Sequence, residues 1–171
     1  MPECVLGRPI LKPPKLDQID LKILVELQRH GRITNQRLSE RIGLSPRPCL
    51  ERVRRLEQTG LIGHYMAVLN PALLKDWVAS FTEISLKSHA SQAMTRFEQY
   101  VRAVPEVVEC HLIGGDFDYL VHIVCPNLER YHALTAGWSD DPALEVGRIV
   151  SHFVMRPVVT YQGLPIDTAR G

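Results

Sequence analysis

The chain has no unbroken apolar run of about 18 residues, so no helix in it is expected to span a bilayer. It has little cysteine. Cys4, Cys49, Cys110 and Cys125 stand apart with no CxxC or CxxH spacing, which argues against a disulfide framework and a zinc ribbon. Reduced thiols in a cytoplasmic protein are the expected reading. The pairs Cys110-His111 and His122-x-x-Cys125 lie in alternating apolar runs, where cysteine packs as a small apolar residue, so no metal site is expected. Also missing are a glycine-rich phosphate loop, a nucleophile elbow with its Ser/His/Asp partners and a carboxylate pair. Seven histidines are present, none in a catalytic setting, and lone strand histidines such as His122 and His152 read as structural or exposed. The chain is therefore expected not to be an enzyme and to need no cofactor. The first 14 residues, with Pro2, Glu3, Pro9, Pro13 and Pro14, lack the apolar centre of a secretory signal. They read either as an inert terminus or as a loose arm, mildly basic through Arg8 and Lys12.

Charge of one sign is lacking overall but not locally. The net charge of +1 hides a split. Residues 1–65 hold 12 Lys/Arg against 7 Asp/Glu, a net of +5, and residues 66–171 hold 8 against 12, a net of −4. Only the first part attracts a phosphate backbone, and its binding should be salt-sensitive.

That basic part spells three short helices. The first opens at Asp17 as N-cap with Asp20 in its first turn, carries Leu16, Ile19, Ile23, Leu24 and Leu27 at helical spacing, and closes by Gly31. The second opens at Thr34, turns Leu38 and Ile42 inward and stops at Gly43. The third has Ser45 as N-cap and Pro46 at its first position, where a missing N–H costs nothing. Leu50, Val53 and Leu56 form its expected inward stripe, and Gly60 ends it. Two helices joined by a Gly-Leu-Ser turn, the second rich in arginine, are the layout of a helix-turn-helix. Base edges are expected to meet Ser45, Arg47, Pro48, Glu51 and Arg52, since Arg pairs with guanine and Glu accepts from cytosine. Arg54 and Arg55 are expected on phosphates, with a further phosphate at the amides near Thr34 and Asn35. Leu61 to Tyr65 reads as a short wing and Met66 to Leu69 as an extended connector.

Beyond Trp77 strand and helix periods alternate. Strands are expected over 78–86, 107–113, 119–125 and 148–159, with helices over 91–104 and 127–138. Pro157 marks the last strand as an edge or an end. The order β-α-β-β-α-β is the ferredoxin-like arrangement, whose second sheet face must be covered, which argues for dimerisation through the sheets. Between the second and third strands, Gly114-Gly115-Asp116-Phe117-Asp118 forms a tight loop. It is either a plain hairpin turn or a ligand cradle, in which glycine amides meet a carboxylate and Asp116 or Asp118 meets an ammonium group. The expected α+β organisation is an arm over 1–15, a winged helix-turn-helix over 16–65, a linker over 66–77, a ferredoxin-like βαββαβ domain over 78–160 and a tail over 161–171.

Several runs carry a resemblance: Leu16-Asp17-x-x-Asp20, Gly31-Arg32-Ile33, Gly43-Leu44-Ser45-Pro46-x-Pro48-Cys49-Leu50-x-Arg52-Val53-x-Arg55-Leu56, Gly60-Leu61-Ile62-x-x-Tyr65, Glu109-Cys110-His111-Leu112 and Gly115-Asp116-Phe117-Asp118-Tyr119-Leu120. Over residues 16–165 the chain resembles the leucine-responsive regulatory protein (Lrp/AsnC, feast/famine) family of transcriptional regulators. The resemblance implies dimers that assemble further, to tetramers or octamers, and a small effector, usually an amino acid, held between dimers. It places effector contacts at Leu112, Gly114, Gly115, Asp116, Phe117, Asp118 and Tyr119, with Val150, Ser151 and His152 on the last strand. Residues 137–147 depart from the family's usual run there, which leaves the identity of the effector open. The expected function is sequence-specific binding to double-stranded DNA, modulated by that effector. The alternative is a ligand-independent architectural DNA binder. A third reading, an amino-acid-binding or enzymatic module with a vestigial helix-turn-helix, sits poorly with the intact arginine face.

Overall fold

In the computed structural model, residues 15–69 and 77–166 are described, together with the backbone of a two-residue antiparallel ladder that pairs Cys4–Val5 with Arg8–Pro9. The rest of the expected arm, linker residues 70–76 and residues 167–171 lie outside the described residues. The chain divides into two compact units, 1–68 with 159–171, and 69–158.

The first unit is built on three helices, α1 (Gln18–Arg29), α2 (Asn35–Ile42) and α3 (Pro46–Gln58). Their boundaries follow from local chemistry. Asp17 and Asp20 form a reciprocal capping box: the Asp20 N–H donates to the Asp17 carboxylate at 2.8 Å, and the Asp17 N–H donates back to Asp20 at 3.1 Å. Thr34 Oγ1 accepts from the Arg37 N–H, and Gly43 takes a left-handed φ of 78° that releases the chain into the turn before α3. The core is Ile23, Leu24, Leu38, Cys49 and Leu56, flanked by Leu16, Ile19, Leu27, Ile33, Ile42, Leu44, Val53 and Ile62. One position on α3 departs from expectation. Cys49 is fully buried and Leu50 is 36% exposed, so the inward stripe runs Cys49, Val53, Leu56. A spacing of four then three residues returns to one helix face, and Leu50 lies about a quarter-turn away from it. Residues 61–69 carry no strand; Tyr65 donates to Glu57 Oε1 at 3.0 Å and ties this stretch back to α3.

The second unit is ferredoxin-like, with elements β1 (Val78–Leu86), α4 (Ser91–Arg102), β2 (Val107–Leu112), β3 (Tyr119–Cys125), α5 (Leu128–Asp140) and β4 (Val146–Phe153). All neighbours are antiparallel in the order β2-β3-β1-β4. Residues Ile84, Leu86, Tyr119, Val121, Ile123 and Cys125 face Phe97, Val101, Tyr131, Leu134 and Trp138 of the two helices. Trp138 is fully buried, edge-on to Phe97 at 6.1 Å, and so fills the core rather than a pocket. Beneath α5 runs a hydroxyl chain: Ser80 Oγ to Thr82 Oγ1 at 3.1 Å, Thr82 Oγ1 to Tyr131 Oη at 2.8 Å, and Tyr131 O–H to Ser151 Oγ at 2.5 Å. It satisfies polar groups that would be costly to bury alone.

Two expectations change here. The last strand spans 146–153 rather than 148–159: Phe153 is its last residue in register, opposite Ser80, the Val154 N–H adds one bond to the Ala79 carbonyl at 2.8 Å, and Pro157, which has no N–H to give a ladder, lies in the irregular segment that follows. The segment expected as a tail from 161 belongs with the helix-turn-helix unit, starting at Val159.

Candidate nucleic-acid interface and effector loop

Four arginines were expected to face outward on α3, and the structure separates them into two pairs. Arg52 Nη1 donates to Asp17 Oδ2 at 2.7 Å and to Asp20 Oδ1 at 2.8 Å. Arg55 Nη2 donates to the other oxygen of Asp20. Asp20 is 1% exposed, so its charge is matched by two guanidinium groups arriving from α3. The pairing is a clamp between the first and third helices. The backbone amide of Asp20 first, and then Arg52, hold the Asp17 carboxyl below the usual carboxylate range. Arg52, expected at base edges, and Arg55, expected on phosphates, are thus both paired with carboxylates more than 30 residues away in sequence.

The other two stay outward. Arg47 is 91% exposed and, among the described residues, pairs with Glu51 at 3.2 Å one helical turn on. Such a pair contributes about 0.3–0.5 kcal/mol and is readily exchanged for a stronger anion. Arg54 is exposed with no ion-pair partner among the described residues. With Leu50, Glu51 and Pro48, these two make the solvent face of α3; Ser45 is exposed at its start, with no capping bond from its hydroxyl. Thr34 and Asn35 have structural tasks: Thr34 caps α2, and Asn35 Nδ2 donates to the Pro46 carbonyl at 2.8 Å, tying the start of α2 to the start of α3. Sequence reasoning missed the clamp. The available signal was the acidic pair of Leu16-Asp17-x-x-Asp20 in the same short unit as an arginine-rich helix.

In the second unit the loop after β2 is open. Nothing lies within 4 Å of where a Cβ would stand on Gly114 or Gly115, and Asp116 is exposed without a partner among the described residues. Asp118 differs. Its Oδ2 accepts from the Leu86 N–H at 2.7 Å, its Oδ1 lies 2.9 Å from His89 Nε2, and its own N–H donates to the Ile84 carbonyl at 2.9 Å. Its carboxylate is thus spent on pinning the loop to the end of β1. Tyr119 is buried, with its hydroxyl donating to Glu98 Oε1 at 3.1 Å; burial, then Glu98, raises its pKa. It packs in the core against Phe97 and does not reach the loop surface. Leu112 is 60% exposed and Phe117 half-buried. On β4 the three expected residues split by strand alternation. Ser151 faces α5 through Tyr131, whereas Val150 and His152 lie on the opposite sheet face, where His152 meets Glu83 Oε1 at 2.9 Å.

Neither α4 nor α5 packs on that opposite face. Phe81, 40% exposed, stacks on His122 at 4.5 Å, and Leu120, Val124 and Val150 surround them in register. Burial holds the His122 pKa below its ordinary value, against the opposing pull of Glu109.

A three-helix DNA-binding unit joined to a ferredoxin-like unit with an open glycine loop defines a ligand-responsive transcriptional regulator. The comparisons agree: residues 16–62 match the winged helix-turn-helix DNA-binding family, and residues 79–164 match the Lrp/AsnC ligand binding domain. The chain belongs to the Lrp/AsnC family of transcriptional regulators. It is 50% identical over 119 residues to the leucine-responsive regulatory protein of Escherichia coli K12, covering 70% of this chain and 73% of that one. An AsnC family transcriptional regulator from Agrobacterium tumefaciens superposes with a TM-score of 0.79 at 32% identity, over 88% of this chain and 97% of its own. A transcriptional regulator from Neisseria meningitidis, solved as an L-Met complex, gives a TM-score of 0.79 at 33% identity, over 91% and 99%. No described helix is long and apolar enough to cross a membrane.

Proposed function

We propose that this regulator binds double-stranded DNA through the solvent face of α3, as a homo-oligomer whose affinity or assembly responds to an amino acid. The observation that carries the reading is the division of labour among the α3 arginines. Arg52 and Arg55 are spent on fixing the helix, and Arg47 and Arg54 are left free to meet DNA. Arg47, near the N-terminus of α3, reads base edges together with Ser45, Pro48 and Glu51, and Arg54 holds a phosphate. The loop at 114–117 takes the effector: glycine amides meet its carboxylate, and Asp116 rather than Asp118 meets its ammonium group, because Asp118 is already committed. The L-Met bound to the Neisseria relative supports an α-amino acid as the ligand class.

The sheet face around Phe81 and His122, opposite α4 and α5, pairs two copies, which puts two recognition helices on a pseudo-palindromic site. The function needs no enzymatic step and no cofactor, and the protein works in the cytoplasm beside its DNA. A mobility-shift titration against each of the twenty amino acids tests the central coupling. At least one is expected to change the apparent Kd several-fold, and unchanged binding with all twenty rejects the effector in favour of an architectural role. Light scattering of Phe81→Glu tests the pairing face. The variant should fall to monomers, and an unchanged mass refutes that surface.

A further inference from the structure

The chain crosses between its two units twice, once near residue 69 and again between Val158 and Val159. The second crossing ends in a built seat on α1. The Leu164 N–H donates to Gln28 Oε1 at 2.5 Å, while its carbonyl accepts from Gln28 Nε2 at 3.2 Å. A side-chain amide used in this two-way manner stands in for the backbone of a neighbouring strand. Beside it, Gly163 has a φ of +90°, which favours glycine, and a Cβ there would lie 2.6 Å from Gln28 Oε1 and 2.9 Å from Gln28 Cδ, so any larger residue would displace the Gln28 amide from its seat. Ile166, its N–H bonded to the Leu164 carbonyl at 2.8 Å, packs against the three-helix core. An amide clamp, an obligatory glycine and an apolar plug converge on one short stretch.

We propose that residues 159–166 are a strap, docked on α1, that makes β4 a second covalent connection to the DNA-binding unit. The seat is well placed for control. α1 is the helix whose Asp17 and Asp20 hold Arg52 and Arg55 of the recognition helix. β4 pairs along β1, whose Leu86 end is pinned by Asp118 of the effector loop, and five residues separate the end of β4 from the start of the strap. A change at β4 is thereby passed to α1 along the chain itself, in addition to any signal through the linker. The docking stands independently of the effector reading; the transmission role rests on it.

The test uses the full chain in four forms: wild type, Gly163→Val, Gln28→Ala and, as control, Gln36→Ala on the exposed side of α2. Hydrogen exchange by mass spectrometry should show the Leu164 and Ile166 amides slowed at least tenfold relative to an unstructured peptide in wild type and control. Both strap variants should lose that protection and become more sensitive to protease within 154–166. Exchange at the unstructured rate in wild type overturns the docking. In the same preparations, with whichever amino acid shifts wild-type DNA binding, the strap variants should keep effector-free affinity within about threefold and lose most of the shift. A full shift in both variants overturns transmission. If no amino acid shifts the wild type, the effector reading and with it transmission fail, and the docking is still decided by exchange.

Discussion

Replacing Asp20 by Ala removes the hub on which the recognition helix hangs. The carboxylate accepts from the Asp17 N–H, from Arg52 and from Arg55, and it is 1% exposed. Losing its half of the capping box costs about 0.5–2 kcal/mol. Breaking a buried ion pair by removing one partner costs about 3–5 kcal/mol where the surviving charge stays buried. Here the survivors are guanidinium groups 28% and 50% exposed, and Arg52 keeps Asp17, so they turn to water and the pair term shrinks severalfold. The two contributions together come to about 2–3 kcal/mol. For a unit of this size, each kcal/mol lowers Tm by about 4–8 °C, so the helix-turn-helix transition should fall by about 10–20 °C. Circular dichroism with urea titration measures the loss, and hydrogen exchange assigns it to α1–α3 with β1–β4 unchanged. Asp20→Asn, which retains one acceptor for the Asp17 N–H, should lose less. An Asp20→Ala protein within about 0.5 kcal/mol of wild type, an ordinary surface effect, would refute the clamp.

Two further predictions concern the sheet unit. His122 has a folded-state pKa depressed by burial, so the unfolded chain binds its proton more tightly. Its contribution to stability is complete above the ordinary histidine value of about 6.5 and is lost as pH falls from there toward the folded value. Thermal unfolding of the sheet unit at pH 7.5 and 5.5 should show this loss, and His122→Gln should flatten it; an equal slope in the variant would assign the effect elsewhere. Tyr131→Phe leaves Thr82 Oγ1 with Ser80 alone and takes from Ser151 Oγ its donor, and should cost about 1–3 kcal/mol by urea denaturation. A neutral outcome would mean that the remaining hydroxyls satisfy one another.

Local chemistry was legible in the sequence, and contacts between distant segments were not. Asp17, Thr34, Gly43 and Pro46 act within one turn of themselves, which is why α1–α3 begin and end where their caps say. Period-two burial in Tyr119–Cys125 was likewise written in the residues. Arg52 illustrates the limit. It lies three residues beyond Cys49, on the flank of α3, and only the carboxylates of a helix 32–35 residues earlier decide that it turns inward. Leu50 and Cys49 were exchanged because both are apolar and the stripe admits either register until packing chooses. Asp118 looked available to a ligand because its partners, the Leu86 amide and His89, lie about 30 residues upstream. The seat of Leu164 on Gln28 joins residues 136 apart in the chain, which no local pattern encodes.

The proposed DNA contacts of α3 fall to Arg47 and Arg54. Fluorescence anisotropy with a labelled duplex, across a salt series, compares wild type with Arg54→Ala, Arg47→Ala and Arg52→Ala. Arg54→Ala should weaken binding to all duplexes alike and flatten the log–log salt slope by about 0.9, the loss of one phosphate contact. Arg47→Ala should cost about 1–3 kcal/mol and narrow the gap between preferred and random sequences. Arg52→Ala should lower the stability of the helix-turn-helix and leave the slope of the folded protein unchanged. The opposite pattern, with the slope carried by Arg52 and untouched by Arg54, would contradict the assignment of the solvent face of α3.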